Sequence, residues 1–479
     1  MALRTPAKFA SVEAFRERWR EIDPAMDCDL ELLGADGPLG QPLERGSAKP
    51  SPNRFCIHPM EGWDGNPDGT PSELTLRRWR NFGASGAGLI WGGEAFAVQR
   101  DGRANARQLY LEPEADTLGG LERLFAATRT GCADIGANPD ALLFGLQLTH
   151  SGRFSRPNGP ALEPRIAVRH AVLDEKFGID TAILTDDELR TIRDRFVESA
   201  VLAQRVGFDF VDVKCAHGYL LHELLAARSR PGPYGGSFEN RTRFLRETVE
   251  GIRAVCPGLE VAVRVSIVDV FPHASGVDGT GEPTGWEDAT PYLDAFGLDP
   301  DDPRRFDFEE PFAFLALLEE LDVRLVNLTV GSPYWSPHLQ RPAAYPPSDG
   351  YQPPRDPLHE VASHLRVVRR CKEAFPGLVL VGSGYTYLME YLAHVAQHEV
   401  GAGHVDAVGL GRMVLSYPDL PADVLAGRPL ARKRICRTFS DCTTGPRKGL
   451  VSGCYPLDEH YKARPEAETL KAIKRELRS

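Results

Sequence analysis

Between residues 213 and 223 the chain reads Val213-Lys214-Cys215-Ala216-His217-Gly218-Tyr219-Leu220-Leu221-His222-Glu223. A cation, an imidazole and a phenol within a few positions suit one kind of chemistry. Lys214 and His217 can donate hydrogen bonds to an oxygen on which negative charge develops, and Tyr219 can deliver a proton. These three are the candidate catalytic residues. The competing reading makes His217 and Tyr219 hydrogen-bonded core residues and puts Lys214 in a structural ion pair. Cys215, between them, reads as a small buried filler.

The elements that must position this segment are legible as an alternation. Eight short apolar runs appear in order: RFCIHP, GLIWGGEAF, ALLFGLQLTH, FDFVDVKCAHG, LEVAVRVSIV, VRLVNLTVG, LVLVGSG and VDAVGLGR. Each has the length of a buried parallel strand. Amphipathic stretches separate them, such as DDELRTIRDRFVESAVLAQRVG, whose apolar residues fall on one helical stripe. Eight strands alternating with helices predict a closed (β/α)8 barrel (TIM barrel). An open doubly wound sheet is the competitor, but the glycine-rich turn expected after its first strand is missing. The barrel is predicted over residues 51–425, after an N-terminal extension over 1–50 and before a short C-terminal tail over 426–479. Long segments follow the fifth and sixth runs, where active-site loops of a barrel belong. In the second of these, Tyr334, Trp335, His338 and Arg341 are candidate substrate-binding residues, read as a lid or as loop packing.

Motifs now carry the reading further. HGYL at 217–220, followed by YGGSFENRTRF at 234–244, resembles the signature of the Old Yellow Enzyme family of NAD(P)H:flavin oxidoreductases. NRFCIHPMEG, QLTHSGR at 147–153, Arg264-Val265-Ser266, Gly382-Ser383-Gly384 and Gly409-Leu410-Gly411-Arg412-Met413 resemble further blocks of that family, in its order. The resemblance covers roughly residues 50–420 and implies bound FMN, with NADH or NADPH as reductant. It implies that Pro59, Met60 and Glu61 line the isoalloxazine and that Gln147 meets its pyrimidine edge. It places Arg264 near the N1–C2 end, where reduced flavin is anionic. Gly382, Ser383, Gly384, Gly411 and Arg412 would cradle the phosphate. His150 and Arg153 read equally as scaffold or as flavin contacts. The activity implied is reduction of an activated C=C bond. Oxidation of an amine, and a catalytically weak flavin-binding barrel, are the alternatives.

The sequence departs from the family in three places. The substrate-orienting pair, His with His or Asn in relatives, is Lys214 with His217. Glu61 stands where many relatives have Thr or a small residue, and reads either as part of the flavin pocket or as a salt-bridge partner. The tail carries Cys436, Cys442 and Cys454, whereas relatives resembling dienoyl-CoA reductase hold a four-iron cluster with four cysteines. Phe439 lies near the place of the missing one, and three thiolates leave one iron without a protein ligand. No iron–sulfur cluster and no other metal is therefore expected. The nucleotide-binding domains of those larger relatives are not expected here.

Net charge is -11 over 479 residues, which argues against a nucleic-acid surface. No apolar run is long enough to predict a membrane span, and the N-terminus has no secretory pattern. The odd count of nine cysteines fits reduced thiols and a cytoplasmic protein. The expected partner is a small-molecule substrate, with a homo-oligomer as the family pattern.

Overall fold

The computed structural model describes residues 4–112, 115–348 and 350–476. Eight parallel strands form its centre: β1 (Phe55–Ile57), β2 (Leu89–Ile90, continued by Ala95–Ala97), β3 (Leu143–Thr149), β4 (Phe210–Val213), β5 (Glu260–Val268), β6 (Leu325–Val330), β7 (Val379–Gly382) and β8 (Ala407–Leu410). Each pairs with the next, and β8 pairs with β1 through Gly409 opposite Cys56, which closes the barrel. Each predicted run contributes one strand.

The helices outside it are α1 (Glu73–Gly83), α2 (Thr117–Asp134), α3 (Asp186–Val206), α4 (Phe238–Val255), α5 (Glu309–Glu320), α6 (Leu358–Ala374), α7 (Leu392–Gly401) and α8 (Leu420–Leu425). Their ends follow local chemistry. The Thr185 side chain accepts from the Glu188 N–H and Glu188 reaches back to Thr185, starting α3 with a reciprocal cap. Gly207, at φ 105°, ends it in a conformation that glycine alone adopts without strain.

Strand alternation sets the barrel interior. Cys56, Leu89, Leu143, Phe210, Ala262, Leu325, Val381 and Ala407 form one apolar cluster, together with Trp91, near the strand starts. Leu43, from a hairpin of Leu43–Arg45 and Ala48–Ser51, joins this cluster and plugs that end of the barrel. Moving two residues along β1, β4, β5, β6 and β7 turns the same inward face polar: His58, Asp212, Arg264, Asn327 and Ser383, all buried. The apolar layer thus supports a polar one, and the polar layer faces the mouth.

The N-terminal extension is integral to the barrel. Its helix, Val12–Ile22, buries Phe15 and Trp19 completely, and the Phe15 ring stacks on Tyr391 at 4.3 Å. The charges that make it look like a solvated lead-in lie on its other face, where Arg18 pairs with Asp356 at 2.9 Å.

Candidate active site

At the C-terminal ends of the strands lies a cavity of about 290 Å³. Two polar networks shape its floor. His58 faces Asn327 Nδ2 through Nδ1 at 3.0 Å and Ser383 Oγ through Nε2 at 3.1 Å. Asn327 donates, so Nδ1 accepts and Nε2 carries the proton. Gly409 is required beside it, because a Cβ there would overlap the imidazole at 2.0 Å. In the second network Asp212 accepts from Gln147 Nε2 at 2.6 Å, Trp91 Nε1 at 2.7 Å and the Arg264 N–H at 2.6 Å. Burial still pushes the Asp212 carboxyl up to about 6. Burial also lowers Arg264 to about 10, opposed by Asp212, and Nε of Arg264 has no hydrogen-bond partner.

The loop after β1 carries Pro59, Met60 and Glu61. Buried Arg78 fixes it by donating to the Met60 carbonyl and the Gly93 carbonyl at 2.9 Å while pairing with Asp64 and Glu94. Glu94 in turn accepts from the Gly62 N–H at 2.8 Å. The partner of Glu61 is a tyrosine. The Glu61 carboxylate accepts from the Tyr219 hydroxyl, and that hydroxyl also bonds Tyr334 Oη at 2.9 Å. The Lys214 ammonium sits 3.9 Å above the Tyr219 ring. Burial lowers Lys214 to about 8, against the opposing charge of Glu61. Burial drives the Tyr219 phenol well up, with the neighbouring Glu61 charge adding to it.

His217 has φ 68°, held by its N–H donating to Ser266 Oγ at 2.9 Å and its carbonyl accepting from Ser332 Oγ at 2.9 Å. Gln340 Nε2 lies 3.1 Å from His217 Nε2. Burial, then the Lys214 charge, keeps the imidazole neutral by lowering its pKa well below the usual value.

At the far side, Arg412 donates to the Pro342 carbonyl at 2.7 Å, and its Nη1 is buried without a partner. Gly384, at φ 95°, packs against His364, while a Cβ on Gly411 would meet only Met60 Sδ at 3.5 Å, leaving that backbone open to the cavity. Unpartnered guanidinium nitrogens at both ends of a cavity with open glycine backbone fit an anionic, planar cofactor such as FMN.

The cavity gathers Lys214, His217, Tyr219, Pro59, Met60, Glu61, Gln147, Arg264, Ser383, Gly384, Gly411, Arg412, Tyr334 and Arg341. Gly382 ends β7 just beneath it. Trp335 and His338 do not line it. Trp335 lies against Gly218 and donates to the Val270 carbonyl at 3.0 Å, and His338 faces Tyr351 Oη at 2.8 Å. Trp335 shares an apolar cluster with Tyr334, whose ring stacks on Phe154 at 3.8 Å. His150 and Arg153 do not line the cavity either, and Arg153 is buried between Asp174 and Glu223. Cys215 is fully buried, as expected.

Sequence reasoning missed His58, Asp212 and one whole wall. Asp212 precedes Lys214 by two, so strand alternation could have found it. The wall is the tail: Cys442, Thr443, Arg447, Ser452, Cys454 and Asp458 line the cavity. Arg341 donates to Thr443 Oγ1 at 2.6 Å, the Trp63 N–H to Ser452 Oγ at 2.9 Å, and Arg77 pairs with Asp458 at 2.9 Å.

A polar cavity at the C-terminal ends of the strands is where barrel enzymes carry their active sites. Residues 39–282 match the NADH:flavin oxidoreductase / NADH oxidase family, and the chain belongs to it. It is 29% identical over 239 residues to an NADH:flavin oxidoreductase of Gibberella zeae, covering 46% of this chain and 55% of that protein. It is 32% identical over 220 residues to an NADPH dehydrogenase of Bacillus velezensis, covering 45% and 60%. The matches thus span little more than half the length of these relatives. Among solved structures, 2-naphthoyl-CoA reductase in complex with 2-naphthoyl-CoA shares the fold with TM-score 0.64 at 19% identity, covering 90% of this chain and 58% of that one. Morphinone reductase in complex with tetrahydroNAD follows at 0.55 and 24%, covering 82% and 91%.

Proposed function

We propose that this chain is an FMN-dependent oxidoreductase that uses NADH or NADPH to reduce an activated C=C bond. The observation that carries the reading is one cavity shared by Lys214, His217 and the Tyr219–Glu61–Tyr334 cluster on one side and Arg264, Gln147 and Arg412 on the other. Arg264 and Gln147 would hold the ring of FMN, and Gly384, Gly411 and Arg412 its phosphate. When bound, FMN supplies hydride transfer between a nicotinamide and the double bond. Lys214 and His217 bind the substrate's carbonyl oxygen and stabilise the charge that grows on it. Tyr219 delivers a proton from Oη to the α-carbon, and Tyr334 and Glu61, bonded to that oxygen, orient it. One observation favours the opposite direction, oxidation of a C–N bond: the Glu61 carboxylate, which accepts a hydrogen bond from the Tyr219 hydroxyl, stands in the mouth where a base would be needed.

The tail does not fit a four-iron cluster. In the sequence Phe439 falls near where relatives have a further cysteine, and its ring lies 5.5 Å from that of Tyr345. We read Cys436, Cys442 and Cys454 as structural thiols. We place the protein in the cytoplasm on its free cysteines, and as a homo-oligomer on the family pattern. No described helix is long and apolar enough to cross a membrane.

The test is the visible spectrum of the purified protein, before and after anaerobic NADH or NADPH, with the iron content. A flavin spectrum that bleaches supports the proposal, and screening of enones against amines then fixes the direction. A colourless protein that takes up no FMN refutes it. A broad added absorbance with stoichiometric iron refutes the reading of the tail.

A further inference from the structure

Away from the mouth, α7 ends in a second cluster. His398, Glu399 and His404 each bring one ligand-type atom within 4.8 Å of the other two. His404 Nδ1 lies 3.3 Å from Glu399 Oε2. That nitrogen is buried, yet it lacks the alignment of a hydrogen bond and has no partner. A separation near 3.3 Å is about the edge of a tetrahedron whose metal–ligand bonds are about 2.0–2.1 Å. The spacing therefore suits two ligand atoms on one ion.

The surroundings complete the arrangement. Asp29, from the N-terminal segment, places Oδ1 3.3 Å from His398 Nδ1. A proton on Nδ1, directed at this carboxylate, would leave Nε2 to ligate, the carboxylate–histidine pairing common behind metal-bound imidazoles. Asp29 is itself held by Gln397 Nε2 at 2.7 Å. Glu399 is almost fully buried and receives both Arg369 Nε and Nη2. His398 and His404 keep 25% and 29% of their side-chain surface exposed, so an ion can enter from solvent.

We propose that His398, Glu399 and His404 form a site for a divalent transition metal of the zinc class, with Asp29 orienting His398. Two imidazoles and one carboxylate are a ligand set that suits Zn²⁺, and water completes the fourth position. The ion would pin the segment around Asp29 to α7, at the barrel end opposite the mouth. It has no part in the redox chemistry.

The test is calorimetric titration of ZnCl2 into the FMN-loaded protein under reducing conditions. The wild type is expected to bind one equivalent that His404→Ala loses. Asp29→Asn is expected to weaken binding about 10–100-fold. Because thiols also bind zinc, Cys442→Ser/Cys454→Ser is titrated in parallel and should bind unchanged. His404 is partly exposed, and a metal-free melting curve of His404→Ala close to wild type shows that loss of binding is not loss of fold. Absence of the equivalent in the wild type, its survival in His404→Ala, or its disappearance only in the cysteine variant overturns the proposal.

Discussion

Glu61→Gln tests the electrostatics of the mouth without removing an atom from it. The amide oxygen can still accept from the Tyr219 hydroxyl, so the change removes charge and keeps the hydrogen bond. Burial lowers Lys214 to about 8, and Glu61 is the foremost charge opposing that fall. At pH 7 a lysine at about 8 is roughly nine-tenths protonated, each unit being worth about 1.36 kcal/mol. An opposite charge at this range holds a pKa about 1–3 units toward the charged form. Its loss should leave Lys214 about half protonated at pH 7 for a one-unit shift, and about one-tenth for two units. If cationic Lys214 binds the developing oxyanion, kcat/KM for an enone falls as pH rises through about 8 in the wild type. In Glu61→Gln that limb should move to about 7 or below. The assay is the oxidative half-reaction by anaerobic stopped flow across pH, with flavin reduction by NADPH followed separately. A limb that stays near 8 in the variant refutes the assignment of Lys214 as the titrating group. A limb unmoved in Lys214→Ala refutes it independently.

Other changes separate the parts of the site. His217→Ala should lower kcat for an enone about 10²–10³-fold, the usual cost of one oxyanion donor, with FMN retained on desalting. Arg412→Ala removes a guanidinium with an unpartnered buried nitrogen and should weaken FMN binding by about 1.5–3 kcal/mol, read by fluorescence titration of the apoprotein. Phe15→Ala should destabilise the fold by about 3–5 kcal/mol in urea unfolding, because the ring is fully buried and stacked on Tyr391. A loss below about 1 kcal/mol would show that the N-terminal helix is dispensable to the barrel.

Much of this architecture was legible because it is local. The eight runs carry their own length and apolar character, and α3 announces both ends through Thr185, Glu188 and Gly207. Lys214, His217 and Tyr219 fall within one short stretch, so their convergence follows from a single strand end. The remainder depends on distant partners. Nothing around Glu61 foretells that a tyrosine 158 positions later will donate to it. The charges of Val12–Ile22 conceal the aromatic face that the core receives. Trp335 and His338 have the right types and the right loop, but Gly218 and Tyr351 draw them under the mouth. The tail was read from its cysteines alone, so its contacts to Trp63, Arg77 and Arg341 were invisible.

Those contacts have a consequence for biosynthesis. The barrel closes when β8 pairs with β1, at Leu410 opposite Ile57. Thr443, Ser452 and Asp458 lie further along the chain, so they leave the ribosome after β8 does. At about 5–20 residues per second, translation needs several more seconds to supply them. During that interval the nascent barrel has its strands but lacks a wall, and any flavin it meets is free to leave. If the protein binds FMN as proposed, its capture is a late event set by emergence of the tail from the ribosome, and released chains truncated before Thr443 should hold flavin far more weakly than the full chain.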